Sequence, residues 1–238
     1  SLEHETKDKI QDLIPSGALN EGTRLVLVNA IYFKGDWLEA FDKTRDAPFH
    51  PLDGSQVTVP TMELGQKYFP YADGENWLAV ELPYAGEAFA MVIIAPAAGE
   101  FDEVQANMDY QSVSTIISSL KTTGMDLSLP RFEFTNAFRL ADQLKSLGIS
   151  DAFSLDRADF SGMTGKRDLY LSDTFHKTYV SVDEAGTTAA AATGQQFQLI
   201  SGILESIPVH IDRPFIFIIR DLKSGQFLFV GRVLDPRQ

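Results

Sequence analysis

Histidine, cysteine, serine and the carboxylates are the residues through which a chain usually does chemistry, and here they do not gather into a catalytic pattern. The only histidines are His4, His50, His176 and His210, and no two have the helical spacing of paired metal ligands. Cysteine is absent, which removes thiolate nucleophiles, disulfides and thiolate metal sites. No G-x-S-x-G elbow, phosphate-binding glycine loop, dinucleotide fingerprint or H-E-x-x-H helix occurs. Acidic residues are plentiful, but no pair stands out from the solvated faces that such residues normally occupy. His176 alone lies in an apolar strand-like run, Phe175 to Val182, where a core histidine is the plainer reading than a general base. No enzyme and no cofactor is expected.

The remaining unusual stretch has almost no side chains to do chemistry with. From Ala185 to Gly194 every residue is Ala, Thr or Gly, preceded by Asp183 and Glu184. Composition alone reads this as a linker or as a short helix started by the acidic pair. Its flanks do not fit a linker. A strand-like run enters at Phe175–Val182, and Ile203–Ile211 followed by Phe215–Ile219 leaves. A small-residue tether of roughly 25 residues between two core strands is too long for a turn, and loops of that length within compact domains usually have a function.

The rest of the chain must position that tether. The 238 residues suffice for a large core. The net charge of −13 and the scattered Lys and Arg argue against nucleic acid and anionic membranes as partners. No apolar run approaches the ~18 residues of a spanning helix. The segment Glu3–Ile14 is charged and partly helical in pattern. Thr23–Phe33 is a continuous apolar run that suits a central strand covered on both faces, with Asn29 requiring a polar partner inside. Short strands are expected at Val57–Thr61, Gln66–Tyr71, Trp77–Tyr84 and Ala88–Pro96. Helical spacing appears over Phe101–Met108 and Tyr110–Leu120, with Thr122-Thr123-Gly124 as a break. An alternating strand spans Met125–Phe134, an amphipathic helix Asn136–Leu147 and a polar loop Phe153–Gly165. Tyr170–Val182 returns to strand character, and a hairpin turns at Lys223-Ser224-Gly225. Many strands and few helices without regular alternation give an α+β fold with more than one sheet.

Read in order, several pieces of this sequence resemble the serpin family. Asp183-Glu184-Ala185-Gly186-Thr187-Thr188-Ala189-Ala190-Ala191-Ala192-Thr193 is similar to the family's hinge, and Val209–Ile219 to its C-terminal signature. Leu27–Trp37 is similar to the third strand of sheet A. Leu82-Pro83-Tyr84, Leu129-Pro130-Arg131-Phe132, Leu147–Phe153 and Phe229–Pro236 also match in family order. The resemblance implies one domain over residues 1–238 with sheets A, B and C, and a reactive loop at 186–208. It also implies that the helical N-terminal part of the domain is missing, so that residues 1–238 alone leave core faces uncovered and do not inhibit. That missing segment would be a structural partner.

The resemblance further implies suicide inhibition of a serine protease, with a cysteine protease as another target class, and an extracellular or periplasmic setting. It excludes a catalytic group of the chain's own. Counting Gly186 as the fifteenth residue before the scissile bond puts that bond at Ile200-Ser201, with Leu199 and Leu204 as fallbacks. An apolar residue there suits elastase-like, chymotrypsin-like or subtilisin-like proteases. Asn29 and His176 match the family's shutter, and Trp37, Arg131 and Glu184 its breach. The small residues then have a physical reason: Thr187, Ala189, Ala191 and Thr193 share one face, and small side chains enter a formed sheet without overpacking it. A noninhibitory relative serving carriage, storage or chaperoning is the alternative.

Overall fold

The computed structural model describes residue 10 and residues 12–184 and 206–237. The chain divides into two compact units. One comprises residues 1–33 and 133–181, the other residues 34–132 and 182–238.

In the first unit, β1 (Leu25–Phe33), β7 (Phe132–Arg139) and β8 (Leu171–Val182) form a three-stranded sheet in the order β1-β8-β7. β1 and β8 run parallel, with Asn29 opposite His176 and Phe33 opposite Val180. Among the described strands β1 has β8 as its neighbour, and its residues are half-buried or exposed. One expectation fails here: the amphipathic pattern over Asn136–Leu147 is only half helix. The strand β7 continues to Arg139, and the helix α3 covers just Ala141–Ser146. Pairing beside β8 overrides the helical spacing of Phe138 and Leu140, and the Leu140 N–H donates to the Thr174 carbonyl at 2.9 Å. A 3₁₀ turn (Asp151–Phe153) leads into the expected polar loop, which contains a short helix, α4 (Ser161–Thr164).

The second unit is built on an eight-stranded sheet. It contains β2 (Lys43–Phe49), β3 (Val57–Asp73), β4 (Trp77–Pro83), β5 (Phe89–Pro96), β6 (Lys121–Pro130), β9 (Ile207–His210), β10 (Phe215–Asp221) and β11 (Phe227–Val233). The order is β11-β10-β5-β4-β3-β6-β9, with β2 also on β3. The seventeen-residue β3 joins the two parts expected as sheets B and C. Its first half pairs with β2 and its end with β4. The two short strands expected here are one strand with a bulge. Its register with β6 shifts between Leu64 and Lys67, and Gln66 adopts φ 52°. Asp42 accepts the Gly65 N–H at 3.0 Å and Asp126 the Gln66 N–H at 2.9 Å, so the groups released by the bulge are satisfied. Thr122–Gly124, read as a break, lies inside β6.

β5 is buried from Ala90 to Pro96, as a continuous apolar run demands. One face of the sheet packs on helix α2 (Tyr110–Ser119), which follows α1 (Phe101–Ala106). Val113 and Ile116 of α2 meet Ala79, Val92, Ile94 and Ile218. A capping box between Asp109 and Ser112 starts α2, and the extended backbone of Leu120 ends it. Phe217 meets Phe132 with the rings tilted and their centroids 5.5 Å apart, and Gly231 of β11 lies directly against the Phe217 ring. A Cβ at Gly231 would sit 2.5 Å from the ring.

Glu81 and Arg220 form a largely enclosed ion pair, Arg220 Nε donating to Glu81 Oε2 at 2.6 Å, with side chains 9% and 16% exposed. Removing one partner strands the other charge. Glu81→Ala is expected to cost about 3 kcal/mol in denaturant unfolding, whereas a joint Glu81→Leu/Arg220→Met change recovers most of the loss.

Candidate functional site

The structure gathers Trp37, Arg131 and Glu184, the residues expected at a breach, where β8 ends. Asp183 and Glu184, the last described residues before the small-residue stretch, are fastened at five points. Lys34 Nζ lies 2.9 Å from Asp183 Oδ2. Trp37 Nε1 donates to the Asp183 carbonyl at 2.9 Å, and the Phe41 N–H donates to the Glu184 carbonyl at 3.1 Å. The Thr44 hydroxyl donates to Glu184 Oε1, and Arg131 Nη1 lies 3.5 Å from the same oxygen. Three elements supply these groups. Residues 34–44 lead into β2, Arg131 stands between β6 and β7 with its N–H on the Pro60 carbonyl at 2.9 Å, and β8 delivers the chain to the site.

Trp37 is the packed centre of this anchor. It is 6% exposed, stacks on Tyr84 at 4.5 Å and meets Phe41 edge-on at 6.1 Å. An isolated β-bridge pairs Trp37 with Tyr84. Burial pushes the Tyr84 phenol far up, so it stays neutral.

Burial also opposes ionisation of Glu184. The Thr44 hydroxyl, a bond from its own backbone and the Arg131 charge outweigh that and hold its carboxyl below the usual glutamate range. A depressed folded-state pKa contributes stability above the ordinary glutamate pKa, and this is lost as pH falls through the depressed value. Protection of the Phe41 and Glu184 amides from hydrogen exchange, relative to the unstructured rate at the same pH, is therefore expected to fall on acidification below the carboxylate range. Glu184→Gln should flatten that response.

Asn29 and His176, expected at the shutter, face each other in register across the parallel β1–β8 ladder. The His176 ring stacks on Phe138 of β7, with centroids 6.4 Å apart. The hinge residues Gly186–Thr193 and the bond residues Leu199, Ile200, Ser201 and Leu204 lie outside the described residues. The chain resumes at Ser206, whose hydroxyl donates to Asp126 Oδ2 at 2.6 Å, and enters β9 parallel to β6. Sequence reasoning missed Lys34, Phe41 and Thr44. Lys34 stands in a matching motif, but the Thr44 region reads as irregular, and only the fold brings its hydroxyl to Glu184.

The model of one family, described as serpin (serine protease inhibitor), matches residues 1–236. The chain belongs to the serpin family. A serine protease inhibitor of Cyanea capillata is 40% identical over 99% of this chain, and the human leukocyte elastase inhibitor is 37% identical over 98%. The solved structure of native protease nexin-1 with heparin superposes with a TM-score of 0.84 at 29% identity, over 99% of this chain. The chain spans 63%, 64% and 64% of the lengths of these three serpins. The α+β serpin fold and its multi-stranded sheets are thus the fold of this chain, and its family is one of protease inhibitors.

Proposed function

We propose that the complete protein is a suicide inhibitor of serine proteases and supplies no catalytic group itself. The observation that carries this reading is the anchor at Asp183–Glu184. It fixes the chain where β8, the strand paired in parallel with β1, leads into the small-residue segment. A segment that leaves β8 and reverses would run antiparallel to both β1 and β8. It could enter between them as a strand, its backbone groups taking over the ladder bonds.

The chemistry belongs to the protease. Its serine oxygen attacks the Ile200 carbonyl, the Ile200–Ser201 C–N bond breaks, and the proton passes to the Ser201 amine. An ester to Ile200 remains. Inhibition then depends on insertion outrunning hydrolysis of that ester. Small side chains from Gly186 to Gly194 lower the steric barrier to insertion. Asn29 and His176, facing each other across the two strands that must part, are suited to a polar latch on opening. The apolar residue at Ile200 and its neighbours Phe197, Leu199 and Ile203 select elastase-like, chymotrypsin-like or subtilisin-like targets. Trypsin-like enzymes require a cation there.

Mass spectrometry of the complete protein after exposure to such a protease is expected to find the cut after residue 200. A cut outside residues 199–204 overturns this register. Cleavage that leaves the protease fully active and brings no gain in heat stability would instead favour a noninhibitory serpin of carriage or storage type.

A further inference from the structure

We propose that the second unit carries a binding site for a small apolar carboxylate, in a cleft between the β2–β3 turn and the turn after β5. The cleft encloses about 480 Å³, within the range of small-ligand sites. His50, Leu52, Pro96, Phe101, Arg213 and Pro214 supply the walls that matter. Pro96 and Phe101 are buried and give an apolar floor. Leu52 stands at the rim, 51% exposed, as apolar surface that a ligand would cover.

The polar lining is His50, Ser55 and Arg213, of which Arg213 carries the charge. Arg213 Nε donates to Asp212 Oδ1 at 2.9 Å, and its two terminal nitrogens have no other partner among the described residues. The His50 N–H donates to the Asp212 carbonyl at 2.8 Å, and His50 Nδ1 lies 3.3 Å from the same oxygen. A carbonyl only accepts, so Nδ1 carries the proton in that bond, and His50 contributes ring surface to the wall rather than a donor to the ligand. Asp212 Oδ2 lies 4.0 Å from His50 Nδ1, so this carboxylate is already turned toward these two residues. The donor group left over is the outer edge of a guanidinium, the natural fork for a carboxylate.

An adjoining cleft of about 300 Å³ shares Pro96, Ala97 and Arg213 but contains Asp73 and Glu75. Those acids repel an anion. The ligand's carboxylate is therefore assigned to the His50 side of Arg213, with its alkyl or aryl body over Leu52 and Phe101.

Calorimetric titration of the complete protein with octanoate tests this, with octanamide as the neutral isostere. The expected result is saturable one-to-one binding with a Kd on the order of 0.1–1 mM, as suits a ligand of this size, and octanamide at least tenfold weaker. Arg213→Gln should weaken octanoate about tenfold. Ala97→Phe, at an exposed turn position, should fill the cleft and abolish binding while leaving the unfolding midpoint unchanged; it decides the matter if the Arg213 variant does not fold. Absence of saturable binding, equal affinity for octanamide, or parental binding by the Ala97 variant overturns the proposal.

Discussion

Arginine at Ala189 is expected to convert the complete protein from an inhibitor into a substrate, while arginine at Ala190 leaves most of its inhibition intact. In an extended strand successive side chains point to opposite faces, so Thr187, Ala189, Ala191 and Thr193 share one face and Ala190 belongs to the other. Whichever face turns into the protein must lose its water. An unpaired guanidinium there costs several kcal/mol, and every 1.4 kcal/mol added to the insertion barrier slows insertion tenfold. Hydrolysis of the acyl-enzyme is untouched. A hundredfold or greater loss of insertion rate therefore hands the competition to deacylation, and the loop is cut without trapping. The pair of variants also fixes the register. Blocked inhibition at Ala189 with tolerance at Ala190 is the period-two signature of a strand. The reverse result would put the opposite face inside, and equal effects at both sites would argue against insertion as a strand. The readout is the number of inhibitor molecules consumed per protease inactivated.

Trp37→Ala is expected to be the most damaging single change at the breach. The indole is buried between Tyr84 and Phe41, and removing it costs about 3–5 kcal/mol through lost contact and the cavity left behind. The change also removes the donor to the Asp183 carbonyl. Trp37→Phe separates the two effects, since the ring stack largely survives and the hydrogen bond does not. Its expected cost is nearer 1 kcal/mol in denaturant unfolding, together with faster hydrogen exchange near Asp183. If Trp37→Ala unfolds at the parental midpoint, the stack is not holding this part of the second unit together.

How far the sequence reached depends on where each residue's fate is decided. The core strand β5 and the helix α2 were legible because their burial is local: an unbroken apolar run in one, and Val113 and Ile116 on one face of the other. The hairpin of β10 and β11 announced itself through Lys223-Ser224-Gly225. The run of Leu, Val and Ile around Asn29 announced a strand, while its parallel pairing with β8 and the register that sets Asn29 opposite His176 join positions too far apart for spacing to reveal. Residues 136–140 were misjudged because Phe138 and Leu140 fit a helical spacing by coincidence, and partnership beside β8 settled the matter. The breach illustrates the division most clearly. Glu184 and Arg131 were named from family resemblance, yet their charges stand 3.5 Å apart and Arg131 is half exposed, a geometry that contributes little by itself. The Thr44 hydroxyl and the Trp37 indole hold the same two residues of chain more closely, and neither contact can be read from spacing, since each spans about 140 positions.

The central claim is that a cleaved loop traps its protease, and one measurement addresses it directly. The complete protein is incubated with a chymotrypsin-like or elastase-like serine protease and analysed by denaturing electrophoresis, with the new band weighed by mass spectrometry. The account predicts a band that survives denaturation, with the mass of the protease joined to the inhibitor through Ile200 and lacking the chain from Ser201 onward. A cleaved loop with no such band, and a protease that keeps its full activity, would contradict it.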